Sequence, residues 1–135
     1  QKHHIDELLA NSDVLPAVDQ IESSPQFTNH ELIGQLRSKG IVAEAWSPLG
    51  GTGGNLLGSP VLAEIGAKYG KSAAQVVIRW HIQRGVVVLP KSTHAERIKQ
   101  NFDVFDFNLT SEDMTAITAL NTGKRNGADP DNFDF

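Results

Sequence analysis

The chain has 135 residues, enough for one packed domain, and its apolar and charged fractions (39% and 21%) are those of an ordinary globular protein. A net charge of −4 argues against a nucleic-acid partner, which calls for a basic face, yet leaves room for one local cationic pocket. The lack of cysteine excludes disulfides and thiolate metal sites, and no apolar run approaches the roughly 20 residues of a membrane span.

The opening QKHHIDELL carries no signal-peptide pattern and no initiator Met. The expectation is a cytoplasmic chain that begins mid-protein or after processing. Ile5, Leu8 and Leu9 stand at helical spacing, and Pro16 follows a polar Asn11-Ser12-Asp13 turn. Residues 17–23, AVDQIES, alternate as a strand does. A second helix starts near Thr28, with Thr28 and Glu31 as a capping box and Phe27 stapled to Leu32, and stops at Gly40. Residues 41–46, IVAEAW, read as a buried parallel strand. A Gly-rich loop leads to Ser59-Pro60, which opens a helix that Gly70 closes. Ser72 caps the next, whose Ala73, Val76, Val77 and Trp80 share a stripe, and Gly85 ends it. VVVLP (86–90) is the third strand. Thr93 and Glu96 form a capping box for a helix reaching about Phe102. A last helix begins at Thr110, with a Leu109–Met114 staple, and runs to about Asn121. The polar tail NGADPDNFDF holds Phe133 and Phe135, free to dock or to dangle.

Strands separated by helices imply parallel pairing and an α/β class in one uninterrupted domain, residues 1–135. Three parallel strands make a poor independent sheet with open edges, so the chain reads as part of a larger α/β body. In such folds ligands bind at the carboxyl ends of strands. Those ends carry Asp19, Gln20 and Glu22; then Trp46-Ser47-Pro48-Leu49-Gly50; then Lys91-Ser92-Thr93.

The third station is the sharpest. A lysine, two hydroxyls and the free N–H groups of a helix start make an anion site. Arg97 and Asn101, at i and i+4, share a helix face and suit a phosphate and an adenine edge. The competing reading is a capped helix end with solvated cations. Trp46, by itself, fits core packing better than stacking on a ligand ring. Trp80, without polar company, belongs in the core. Gln20 needs a partner for its amide, either a ligand amide or neighbouring backbone. The loop of Gly50, Gly51, Thr52, Gly53 and Gly54 either wraps a pyrophosphate or is mobile. His3, His4, His30, His81 and His94 are scattered. His3 and His4, adjacent in a helix, are expected to point apart, so no metal site is assigned. Ser24 and Ser47 have no evident base, and no acyl-transfer triad emerges.

Together these stretches resemble the aldo-keto reductase family. The matching pieces are PAVDQIESSP (16–25), GIVAEAWSPLG (40–50), YGKSAAQVVIRWHIQRGVVVLPKS (69–92), ERIKQNFDVFDFNLTSEDM (96–114) and DPDNF (129–133). The most similar subgroup is that of bacterial 2,5-diketo-gluconate and methylglyoxal reductases. The resemblance implies a (β/α)₈ barrel, which needs about 250 residues, so the chain would supply its C-terminal half: strands six, seven and eight with their helices.

It further implies NADPH-dependent reduction of a small-molecule aldehyde or ketone by a full-length protein that is a monomer, while the residues themselves lead to an expectation of no metal, nucleic acid or membrane partner. Gln20 would bond the nicotinamide carboxamide and Trp46 would stack on the ring. Ser47, Pro48, Leu49 and Gly50 would line the pyrophosphate. Lys91, Ser92 and Arg97, with Thr93 beside them, would grip the adenosine 2′-phosphate, and Asn101 would touch adenine. The family's catalytic tetrad of Asp, Tyr, Lys and His lies in the other half. Tyr69 is not its tyrosine and Lys91 is not its lysine, so no catalytic residue is assigned and the isolated chain is expected to be inactive. Departures from the family are Asp19 for Asn, Ser24 for His, and His94 and Gln100 near the adenine. The alternative is a non-catalytic nucleotide-binding fragment that folds alone or by self-association.

Overall fold

In the computed structural model, which describes residues 1–51 and 54–133, helices and strands alternate along the chain. Helix α1 (Lys2–Asn11) precedes β1 (Val18–Glu22), α2 (His30–Ser38), β2 (Val42–Trp46) and a 3-10 turn (Leu56–Gly58). Then come α3 (Pro60–Tyr69), α4 (Ala73–Gln83), β3 (Val87–Val88), α5 (Ala95–Phe102) and α6 (Ser111–Thr118). The sheet is parallel in the order β1-β2-β3. Val18 stands opposite Val42, Glu22 opposite Trp46, and Ala45 opposite Val88. Parallel neighbours need long crossovers; α2 supplies the first, and α3 with α4 the second.

Period-2 alternation divides the sheet into two unlike faces. Ile21, Ala43 and Ala45 point toward α2 and pack with Leu32, Ile33 and Leu36. A second cluster joins α3, α4 and α6 through Leu62, Ile65, Val76, Val77, Trp80 and Ile117. Trp80 thus takes the core position expected of it. The opposite sheet face is open: Val18, Val42 and Val87 are 43–48% exposed, and Leu89, just beyond β3, is 56% exposed. An apolar groove of about 990 Å³ continues from β3 to Ile98, Phe102 and Phe105.

Local signals placed most helix ends. Ser72 Oγ accepts the Gln75 N–H at 3.3 Å while Gln75 Oε1 accepts the Ser72 N–H at 2.9 Å, and Thr110 with Asp113 repeats the arrangement at α6. Pro60 occupies the first turn of α3, and Gly70 closes it at φ 65°. Two expected capping boxes do not form. The α2 cap is Asn29, in the left-handed region, and buried Thr28 instead gives its N–H to Asn121 Oδ1 and its carbonyl to Arg84. The α5 cap is His94, not Thr93, with no side-chain cap bond. The final helix stops at Thr118, short of Asn121. Among the described residues no helix is long and apolar enough to cross a membrane.

Candidate nucleotide site

Because the strands are parallel and Ala45 pairs with Val88, Trp46 and Lys91 emerge at the same end of the sheet. Glu22, opposite Trp46, ends β1 there as well. This is the end at which open parallel sheets carry ligands.

One hollow, of about 560 Å³, gathers Leu49, Lys91, Ser92, Thr93, Arg97 and Asn101, with Ser72 and Gln100 at its wall. Lys91 and Arg97 are exposed. Lys71, by contrast, bonds Asp103 and Asp106, and Lys68 bonds Asp113. Among the described residues, Lys91 and Arg97 have no carboxylate partner. Ser92 Oγ accepts the His94 N–H at 3.2 Å, and no side chain caps the first turn of α5. Two uncommitted cations beside an uncapped helix start are what an anionic group needs.

A second hollow, of about 200 Å³, holds Gln20 and Trp46 together with Asp19, Glu22 and Arg125. Gln20 is exposed rather than buried, because its face of the sheet is open, and its amide donates to Glu44 Oε1 at 2.6 Å. That partner is neither of the two anticipated. Asp19 Oδ2 is buried and, among the described residues, has no hydrogen-bond partner.

Trp46 is half-buried, and part of its cover is the C-terminal tail. A Cβ at Gly127 would fall 2.1 Å from Trp46 Cη2, so only glycine allows this approach. Buried Glu22 fastens the strap by accepting the Asn126 N–H at 2.7 Å and the Gly127 N–H at 3.3 Å, with Arg125 Nη1 at 3.8 Å. Asn126 Nδ2 also donates to the Gly50 carbonyl at 3.2 Å. Sequence reasoning gave this segment no position. Its only signal was a carboxylate, Glu22, at the end of a strand otherwise bound for burial.

Between the hollows runs the turn after β2. Ser47 adopts φ 48° and Gly50 φ 89°, and the Gly50 N–H closes on the Ser47 carbonyl at 3.0 Å. Of Ser47, Pro48, Leu49 and Gly50, only Leu49 lines the cationic hollow. Pro48 is buried, and its carbonyl lies 3.4 Å from His81 Nε2. Burial, and then the charge of Arg84, push the His81 pKa down to about 3, which keeps the ring neutral. Of the Gly-rich loop, Thr52 and Gly53 lie outside the described residues, as does Phe135 in the tail.

Tyr69, the sole tyrosine, is engaged elsewhere. Its hydroxyl donates to Asp113 Oδ2, a bond that raises the phenol's pKa. His3 and His4 do not point apart: both rings reach Asp131 in the tail.

The model of the "Aldo/keto reductase family" matches residues 2–122. An uncharacterized oxidoreductase, YtbE, of Bacillus subtilis is 49% identical over all of this chain and 48% of its own length. Methylglyoxal reductase DkgA of Escherichia coli is 41% identical over 98% of this chain and 48% of its own. Among solved structures, a point mutant of Gox0644 in complex with NADPH superposes with a TM-score of 0.94 at 38% identity, covering 100% of this chain and 49% of that one. The chain therefore spans about half the length of the curated relatives it matches. With the family model spanning most of the chain and the same backbone seen in a solved relative, this chain belongs to the aldo/keto reductase family.

Proposed function

We propose that this chain is the NADPH-holding, C-terminal part of an aldo-keto reductase barrel that reduces small aldehydes or ketones of the methylglyoxal type. The observation that carries the proposal is the pair of uncommitted cations, Lys91 and Arg97, in one hollow at the sheet end where Trp46 also emerges. The open sheet face of Val18, Val42 and Val87, continued by exposed Leu89, supports a larger body, since an exposed apolar patch of this kind asks for cover. The likeness to a family member holding NADPH supports the choice of dinucleotide.

The residues fit such a ligand. Lys91, Arg97, Ser92 and Thr93 would hold a 2′-phosphate by charge-assisted hydrogen bonds. Asn101, beside Arg97 in the same hollow, would meet adenine. Ser47, Pro48, Leu49 and Gly50 would carry the backbone of the turn along the pyrophosphate. Trp46 would support the nicotinamide face, and Gln20, on leaving Glu44, would take its carboxamide. NADPH, when bound, supplies a hydride to the carbonyl carbon. Proton donation falls to a residue outside this chain, for Tyr69 is bound to Asp113. The chain alone therefore orients the reductant and gives no turnover.

The test is binding of NADPH and NADH, followed by fluorescence quenching, together with turnover on methylglyoxal. Arg97→Ala should weaken NADPH by on the order of tenfold and leave NADH nearly unchanged, the cost of one charge-assisted contact. Equal weakening of both would count against the 2′-phosphate role. Turnover by the purified chain above that of Lys91→Ala would defeat the claim that a second half supplies the acid. The open apolar face also favours a second reading, a non-catalytic binding module that self-associates. A folded oligomer on size exclusion that binds NADPH without turnover would select it.

A further inference from the structure

Two imidazoles and one carboxylate meet where α1 faces the tail. His3 Nε2 lies 3.0 Å, and His4 Nε2 3.2 Å, from the same oxygen, Asp131 Oδ1. The two rings are 4.2 Å apart and tilted by 59°, and the three ligand atoms lie within 4.8 Å of one another. We propose that His3, His4 and Asp131 form a surface site for a divalent transition metal, Zn²⁺ or Ni²⁺, which clips the C-terminal tail to α1.

The spacing is that of a coordination edge. Ligand atoms about 2.0–2.1 Å from a tetrahedral metal stand about 3.3 Å from each other, and both recorded separations are close to that. The donors select the metal: imidazole with a single carboxylate suits zinc, nickel and copper, whereas calcium and magnesium ask for oxygen shells. The side chains are 61%, 45% and 36% exposed, so water completes the shell and the affinity is modest.

The tail arrives already shaped. Asp129 Oδ1 accepts the Asp131 N–H at 3.1 Å, and Asp129 also takes Asn132 Nδ2 at 3.1 Å and Gln1 Nε2 at 3.3 Å. That turn presents Asp131 to the helix, as outer partners hold metal ligands elsewhere. Coordination through His4 Nε2 puts the ring proton on Nδ1 and gives up the 3.4 Å contact with the Gln1 nitrogen. His4 and Pro130 line the hollow of Gln20 and Trp46, so the clip stands on that wall.

The experiment is calorimetric titration of the untagged full chain with ZnCl₂ and NiCl₂, at neutral and mildly acidic pH. One equivalent should bind at neutral pH and weaken on acidification, because protons compete for the imidazoles. His3→Ala, His4→Ala and Asp131→Asn should each weaken binding by at least on the order of tenfold. Exposed His30 is the control, and His30→Ala should change nothing. Bound metal should slow tryptic cleavage at Lys124 and Arg125 in the wild type but not in Asp131→Asn. Absence of binding, full binding by Asp131→Asn, an equal loss in His30→Ala, or binding without slower cleavage would each overturn the proposal.

Discussion

The buried imidazole of His81 lies 3.4 Å from the carbonyl oxygen of Pro48, so helix α4 supports the turn that follows β2. This ties a core residue to the segment between the two hollows. Burial keeps the imidazole neutral at ordinary pH, and among the described residues its Nδ1 has no hydrogen-bond partner.

The pH dependence follows from that state. Burial and Arg84 hold His81 at about 3, against a usual 6.5. Between those values the unfolded chain binds more protons, so stability falls as pH drops from about 6.5 toward 3, by up to about 1.4 kcal/mol per pH unit. His81→Gln should flatten that slope in urea unfolding measured across the window. A slope that survives the substitution would show that other groups carry it.

Asp113 acts lower on the scale. Burial opposes its ionisation, but hydrogen bonds from Lys68, Tyr69 and the Thr110 N–H outweigh it and hold the carboxyl at about 2, against 3.8. A depressed carboxyl contributes stability above 3.8 that disappears as pH falls to about 2, on the order of 2 kcal/mol in all. Tyr69→Phe should cost about 1–3 kcal/mol at neutral pH, because a buried carboxylate loses a donor. Unchanged urea midpoints at neutral pH in that variant would exclude a stabilising role for the bond.

Gly127→Ala should lift the tail from Trp46. The added Cβ would meet the indole at 2.1 Å, and relieving that costs about 1–3 kcal/mol of local stability. Trp46 emission should shift and trypsin should cut faster at Arg125. If neither changes, the strap does not rest on the ring.

Two further glycines make a controlled pair. At Gly66 a Cβ would sit 2.4 Å from the Lys71 carbonyl oxygen, whereas at Gly34, among the described residues, none outside its own stretch of α2 would come within 4 Å of it. Gly66→Ala should destabilise by about 1–3 kcal/mol, and Gly34→Ala, inside α2, should stabilise by up to about 1 kcal/mol. Thermal midpoints that move in the same direction would contradict the packing described around α3.

Much of the architecture is legible in the residues alone. Pro60, Gly70, Ser72 and Thr110 mark helix ends through backbone chemistry that acts within four residues. The failures are also physical. Thr28 has the look of a cap, but burial gives its amide to Asn121 and its carbonyl to Arg84. VVVLP has the composition of a full strand, yet β3 pairs only at Val87 and Val88. Strand extent depends on a neighbour as well as on propensity.

The candidate site divides in the same way. Lys91, Arg97 and Asn101 share a hollow because spacing of four along α5 puts two of them on one face and Lys91 just precedes that helix. No local rule reports that Lys91 and Arg97 lack carboxylate partners among the described residues, which depends on where the fold places those carboxylates.

The sequence by itself determined the alternation of parallel strands with helices and the polar residues that end each strand, because period, caps and turns act over a few residues. Only the tertiary structure decided that Glu22 grips Asn126 and Gly127, that His81 props Pro48, and that His3 and His4 converge on Asp131. Those pairs lie far apart in the chain, and they meet only after the packed core has fixed where each element lies.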